Sequence, residues 1–223
     1  MGKTLVSVQT IRELVRNGKK SLEVPEGTLI TPLAAELAGS KGIQVVSGKK
    51  REIKPSSQSS PAKASVGPSS PIERHIVAIG SDHGGFQYKG VLKKFVEELG
   101  YNVLDIGTFS EDPCDYPDFA YAVAAKVSAG EVWRGIVIDG AGIGSCVVAN
   151  KVKGVRAACC HNEFVARNAR EHNDTNLLTL GSKVVGIEVC KGICRVWLET
   201  WFAGGRHAKR VDKIIDVETR FLR

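Results

Sequence analysis

From His75 onward the chain alternates short apolar runs with amphipathic stretches, and no other feature restricts its fold as strongly. The runs fall at 75–80, 102–106, 135–138, 155–159 and 177–180. Helical spacing governs the stretches between them, as in Phe86–Leu99, where Val91, Leu92, Phe95, Val96 and Leu99 mark one face. Further helices are expected over 117–128, 144–151, 163–170, 186–202 and 208–222. Five continuous apolar strands separated by helices imply an α/β fold, a parallel sheet flanked by helices on both faces. In such sheets ligands bind outside the carboxyl ends of the strands. The loops that follow strands are therefore the ones to read for chemistry.

A composition shift separates this domain from what precedes it. Residues 47–71 carry Pro55, Pro61, Pro68 and Pro71 among many serines and almost nothing large and apolar, which reads as a flexible linker. The expected organisation is a small N-terminal module over 1–46, a linker over 47–71 and the larger α/β domain over 72–223. Within the module, Thr10-Ile11-Arg12-Glu13 has the capping-box pattern, and Gly18 is a helix stop. Thr31-Pro32 has the N-cap and first-turn proline of a second helix. Extended pieces are expected at 21–24 and 43–46. So small a unit is marginal for folding alone, which favours docking on a partner.

The 223 residues hold 31 Lys+Arg and 24 Asp+Glu, a formal charge of +7. The excess lies in residues 1–71, with 11 basic and 5 acidic residues; residues 72–223 hold 20 and 19 and are nearly neutral. With no aromatic RNA-binding pattern and no zinc-finger spacing, a nucleic-acid partner is not expected. No apolar run approaches the ~18 residues of a membrane span, so neither membrane insertion nor secretion is expected, and the cytoplasm is the default. The six cysteines, all beyond residue 113, show neither a disulfide framework nor metal-ligand spacing, and read as reduced, buried thiols.

Three strand-end features could carry chemistry. Gly80-Ser81-Asp82-His83-Gly84-Gly85 places an acid and an imidazole on a turn before a helix. In Asp139-Gly140-Ala141-Gly142-Ile143-Gly144, alternating glycines lead into a helix N-terminus that can hold a phosphate or an oxyanion. Arg206-His207 and Arg210, after a glycine pair, suit a small phosphate. Each also has a plainer reading, as a helix cap, a glycine turn or a solvated face. The glycine loop is not the dinucleotide fingerprint and follows the third strand, so a Rossmann dehydrogenase is not expected.

Taken in order, IVAIGSDHGGFQYKGVLKKFVEELGYNVLDIGT, DYPDFA, GAGIG, ANKVKGVRAA, AREHNDTN and FAGGRHAKRVDKI resemble ribose-5-phosphate isomerase type B and the related galactose-6-phosphate isomerase subunits, from about Ile76 to Ile214. The resemblance implies a Rossmann-like five-stranded parallel sheet and cofactor- and metal-free aldose–ketose isomerisation of a phosphosugar in a homodimer or homotetramer, with active sites built across a subunit interface. It implies that Asp82, His83 and Tyr116 bind substrate, that His172 opens the sugar ring as acid and base, and that Asn173 holds a hydroxyl. Gly140, Gly142 and Gly144 would supply N–H groups to the enediolate, and Arg206, His207 and Arg210 would take the phosphate. The segment TIRELVRNGKKSLEVPEGTLITPLAAELAGSKGIQVV is similar to the N-terminal part of some ethanolamine- and propanediol-utilisation proteins of bacterial microcompartments. That similarity implies docking of residues 1–46 on a shell or enzyme partner inside a microcompartment.

One position departs from the family. Most members have Cys-Gly-Thr-Gly where this chain has Asp139-Gly140-Ala141-Gly142, and a subset has a glutamate base where this chain has Ser145. Three readings stand: Asp139 is the base, although an exposed aspartate near pKa ~3.9 is a weak one; Cys146, one turn into the next helix, supplies a thiolate; or the chain is a phosphosugar-binding or scaffolding subunit. The expected reading is an isomerase with Asp139 as base.

Overall fold

The structure is a computed structural model and describes residues 5–6, 8–25, 28–30, 32–47 and 75–221. Ser47, the first residue of the expected linker, is the last of a described strand; the rest of the linker and the N-cap position Thr31 lie outside the described residues. Among those described, no helix is long and apolar enough to cross a membrane.

The N-terminal unit runs β1 (Leu5–Val6), α1 (Val8–Arg16), β2 (Ser21–Val24), β3 (Leu29–Ile30), α2 (Pro32–Ser40) and β4 (Gln44–Ser47). The capping-box reading needs correction: α1 starts at Val8, so Thr10 lies inside the helix. The two halves repeat one another. Leu5 pairs in parallel with Leu29 and Ser21 with Gln44. Gly18 (φ +67°) and Gly42 (φ +65°) end the two helices in the same left-handed conformation, with Lys19 N–H bonded to Leu14 O and Ile43 N–H to Ala38 O. Val6, Ile11, Leu14, Val24, Ala34, Ala38 and Ile43 form a small core of their own.

The larger unit contains β5 (Ile76–Ser81), α3 (Phe86–Glu98), β6 (Asn102–Gly107), α4 (Tyr116–Ser128), β7 (Arg134–Asp139), α5 (Ile143–Ala149), β8 (Ala157–Cys159), α6 (Glu163–Asn173), β9 (Leu177–Gly181), α7 (Ile187–Glu199) and α8 (Ala208–Phe221). The five strands form one parallel sheet in the order β6-β5-β7-β9-β8. Side chains alternate across it and both faces are covered, which is why the inner strands β5, β7 and β9 are mostly apolar, while the edge strand β6 carries Asn102 and Asp105. Val77, Ile79, Ile136, Ile138, Leu178 and Leu180 pack with α3, α6 and α7 on one face. Ala78, Val137 and Leu177 pack on the other with Ala120, Val123 and Ala124 of α4 and Ala149 of α5.

Two details differ from expectation. Val91 is exposed rather than part of the core face of α3. The six cysteines are free, but only Cys160, Cys190 and Cys194 are fully buried, and Cys114, Cys146 and Cys159 are partly exposed.

Because all five strands run the same way, the sheet has a carboxyl edge and an amino edge. Helices that follow strands start at the first and end at the second. Arg134, at the start of β7, marks the amino edge: its buried guanidinium donates to Trp197 O (2.5 Å), Leu198 O (3.1 Å) and Thr200 O (3.2 Å) at the end of α7.

Candidate active site

At the carboxyl edge, the loops after β5, β7 and β9 are laced together. Asp82 N–H bonds to Ile138 O at 3.3 Å, Ser182 N–H to Asp139 O at 2.8 Å and Lys183 N–H to Gly140 O at 3.0 Å. The Ser182 hydroxyl reaches Gly84 O at 2.7 Å. Asp82 caps the 3-10 turn His83–Gly85, its Oδ1 accepting the Gly85 N–H at 2.9 Å. Burial leaves it 8 % exposed and raises its pKa above the ordinary carboxylate value; the Gly85 N–H and His83 pull the other way, and Asp139 adds to the rise. The plainer reading of Asp82 as a cap is therefore met, with its carboxylate at the carboxyl edge of the sheet. His83 turns toward the segment before α4, where its Nδ1 lies 3.2 Å from the Cys114 backbone nitrogen. Tyr116, half-exposed, lays its ring over Gly144: a Cβ built there would sit 2.6 Å from the ring.

The glycine loop is organised from within. Asp139 Oδ1 accepts the N–H of Ala141 at 2.8 Å and that of Gly142, while Oδ2 accepts the Ser145 N–H at 3.0 Å and the Ser145 hydroxyl at 2.5 Å. A buried carboxylate thus fills the nest of backbone donors that the glycines create, and the left-handed Gly142 (φ +78°) closes the turn around it. This bears on two expectations. Asp139 is 4 % exposed and both its oxygens are engaged with its own loop, so the geometry does not present it as a free base. The Gly142 N–H is likewise engaged, whereas Ile143 and Gly144 open α5, where backbone donors have no intrahelical acceptor.

Cys146 also differs from expectation. Its Sγ donates to Ala157 O at 3.5 Å and lies 3.5 Å from Asn150 Nδ2, on the β8 side of α5. Burial pushes its pKa up, which opposes a thiolate. Ser145, noted in the sequence only as standing where a subset of the family has a glutamate, is a donor. An aspartate ending a strand, followed by Gly-x-Gly and a serine in the first helical turn, is the signal that could have identified it.

The remaining expected residues lie at the amino edge. His172 and Asn173 form the last turn of α6, three residues beyond the helix end expected at 170. The His172 ring stacks on His207 with centroids 4.0 Å apart and planes 10° from parallel, and its Nδ1 is 2.9 Å from Asn168 Nδ2. Arg206 and His207 occupy a 3-10 turn (Gly205–His207) that leads into α8. Arg206 Nε donates to His207 Nε2 at 3.4 Å, and an Arg210 guanidinium nitrogen is 3.5 Å from Nδ1. Burial depresses the His207 pKa, with His172, Arg206 and Arg210 adding to the effect. A neutral imidazole between two guanidiniums leaves both cations oriented, and among the described residues neither arginine forms an ion pair.

One chain therefore carries its expected site residues in two groups at opposite edges of its sheet. The eleven residues of α6 separate them by about 16 Å at 1.5 Å per residue. Among the described residues no group of three or more His, Cys, Asp or Glu side chains is placed to hold a metal ion.

Comparison with known proteins places this architecture. A model of the ribose/galactose isomerase family matches residues 77–214. Ribose-5-phosphate isomerase B of Escherichia coli is 44% identical over 144 residues, covering 65% of this chain and 97% of the relative. D-erythrulose-4-phosphate isomerase of Pectobacterium atrosepticum is 40% identical over 142 residues, covering 62% and 91%. The structure of Clostridium thermocellum ribose-5-phosphate isomerase B superposes with a TM-score of 0.65 at 49% identity, covering 66% of this chain and 99% of that one. The five-stranded sheet, the ordered loops and these matches together establish that the chain belongs to the ribose/galactose isomerase family.

Proposed function

We propose that this protein interconverts a phosphorylated aldose and ketose through an enediolate, with a pentose 5-phosphate as first candidate substrate and a tetrose phosphate as second. The observation that carries this reading is the pair of half-sites. At the amino edge, Arg206 and Arg210 flank a neutral His207, an arrangement that favours a phosphate dianion. At the carboxyl edge, Asp82 and the donors opening α5 offer a proton acceptor and an oxyanion site.

A five-carbon phosphosugar cannot bridge the two halves of one chain. The active site therefore needs the amino edge of one copy set against the carboxyl edge of another, as in a homodimer or homotetramer. Exposed Ile143 and Val147, four apart on α5 beside Tyr116, and exposed Ile214, Val217 and Phe221 on α8 support such an assembly. In the assembled site the arginines anchor the phosphate and so orient the sugar. His172, braced by His207 and Asn168, exchanges the proton that opens the ring, Asn173 holds a hydroxyl, and Tyr116 and His83 close the pocket around the chain.

Residues 72–223 are assigned this chemistry, 47–71 a linker role, and 1–46 docking on a protein partner, a microcompartment shell or an enzyme enclosed in one. The separate core of the small unit supports a body with its own surface.

A coupled assay of the purified protein on ribose 5-phosphate, erythrulose 4-phosphate and 6-phosphohexoses tests the activity. Turnover on one of them is expected, and silence on all would overturn it. Removing residues 1–71 should leave turnover intact and abolish co-sedimentation with shells.

A further inference from the structure

We infer that Asp82, not Asp139, is the base that carries the proton between the two reacting carbons; this rests on the isomerase reading above. The argument is one of availability at the carboxyl edge. Asp139 gives both oxygens to four donors of its own loop, and Ser145 gives its hydroxyl to Asp139. Cys146 is turned to Ala157 O, and Cys159 Sγ packs under the loop, 3.8 Å from Ala141 O. His83 Nδ1 faces the Cys114 backbone. Asp82 instead stands at the end of β5, its carboxylate engaged among the described residues only by the N–H groups of Gly85 and, more weakly, Gly84, on a turn bonded to Ile138 and to Ser182 and thus held against the glycine loop.

The surroundings suit a base. His83 on its own turn, Asp139 at the end of β7 and Cys114 before α4 are the titratable groups that face it. Lys183, after β9, lies across Gly140. Burial raises the proton affinity of Asp82, and the charge of Asp139 raises it further. The loop carboxylate thus activates its neighbour while keeping the backbone donors in place.

The proton balance closes within the substrate. Asp82 takes the proton from C2 of the aldose, the C2–H electron pair becomes the C1–C2 double bond, and the C1 oxygen takes the negative charge beside the donors that open α5. Asp82 then returns the proton to C1, the C2 hydroxyl proton passes to the C1 oxygen, and C2 becomes the carbonyl of the ketose.

The test compares wild type, Asp82→Asn, Asp82→Glu and Asp139→Asn on the phosphosugar panel. Three readouts are taken: kcat against pH, exchange of the C2 proton in D2O, and binding of a phosphorylated hydroxamate that mimics the enediolate. Asp82→Asn should lower kcat and C2 exchange by about 10²–10⁴-fold with hydroxamate binding within a few-fold. Asp139→Asn should bind the hydroxamate more weakly and keep the acid limb of kcat. If Asp82→Asn does not fold, Asp82→Glu decides: at least tenfold slower exchange with a retained acid limb supports the assignment, and an unchanged kcat overturns it. A folded Asp82→Asn that still exchanges within tenfold of an active wild type overturns the assignment alone. A wild type silent on the whole panel overturns the isomerase reading and this assignment with it.

Discussion

Ser145 gives two hydrogen bonds to a single oxygen of Asp139, its N–H at 3.0 Å and its hydroxyl at 2.5 Å. The hydroxyl is the part a substitution can remove without disturbing the backbone. Ser145→Ala should cost about 1.5–3 kcal/mol, the range for a hydrogen bond to a charged group. Thermal unfolding of the two proteins under identical conditions measures it, and an unchanged melting temperature would count against the serine as an organiser of the loop.

The opposite edges of the sheet make a complementation experiment decisive for assembly. Asp82→Asn lacks the carboxyl-edge half and Arg210→Ala the amino-edge half, so each should be inactive alone. Unfolding and refolding an equal mixture should restore about a quarter of wild-type activity. Half of the dimers are then mixed, and each of these holds one intact site of two. No recovery would place the whole site within one chain.

Two glycines on neighbouring elements should respond in opposite directions. A Cβ at Gly85 would lie 2.3 Å from Ile138 O, inside the contact that holds the Asp82 turn to β7. Gly85→Ala should cost about 3 kcal/mol or more, since backbone cannot move aside cheaply. Gly90, exposed on α3 with nothing within 4 Å of a built Cβ, should gain about 0.5–1 kcal/mol on changing to alanine. Melting curves of the two variants test both signs at once.

His207 gives a pH signature. Its folded pKa lies below the ordinary 6.5, so the unfolded chain takes up its proton first as pH falls. The associated stability is fully present above 6.5 and is lost as pH drops through the lowered folded value. His207→Asn should therefore lose less melting temperature than wild type between pH ~7.5 and ~5.5. A dianionic phosphate at Arg206 and Arg210 should reverse the shift, so phosphosugar binding should take up a proton, measurable as a buffer-dependent heat.

Much of this was legible in the sequence because the parallel sheet writes itself as buried runs at regular intervals. Strands β5, β6, β7 and β9 and helices α3, α4 and α5 fall within two residues of their expected bounds. The pairs β1 and β3 were missed: two residues are too few to show a period, and only their mutual pairing defines them. The chemistry was harder to read, for a physical reason. A sequence shows that Asp139 stands at the end of a strand, but its availability depends on which donors the turn folds onto it. Gly142 and Ser145, three and six residues away, settle that only in three dimensions. The expected end of α6 at residue 170 hid a second fact. With His172 and Asn173 still helical, they belong to the far edge of the sheet and not to a loop beside Asp82.

That last turn of α6 has a consequence for how such a site can change. The position of His172 relative to the opposite edge is set by a rigid rod, not by a flexible segment. One residue added to α6 would advance the imidazole by about 1.5 Å and swing it by about 100° around the rod axis. Loops at the carboxyl edge can change length without moving this turn, but in the proposed assembly of two copies the helix must keep its count, because its length sets where His172 meets the other copy.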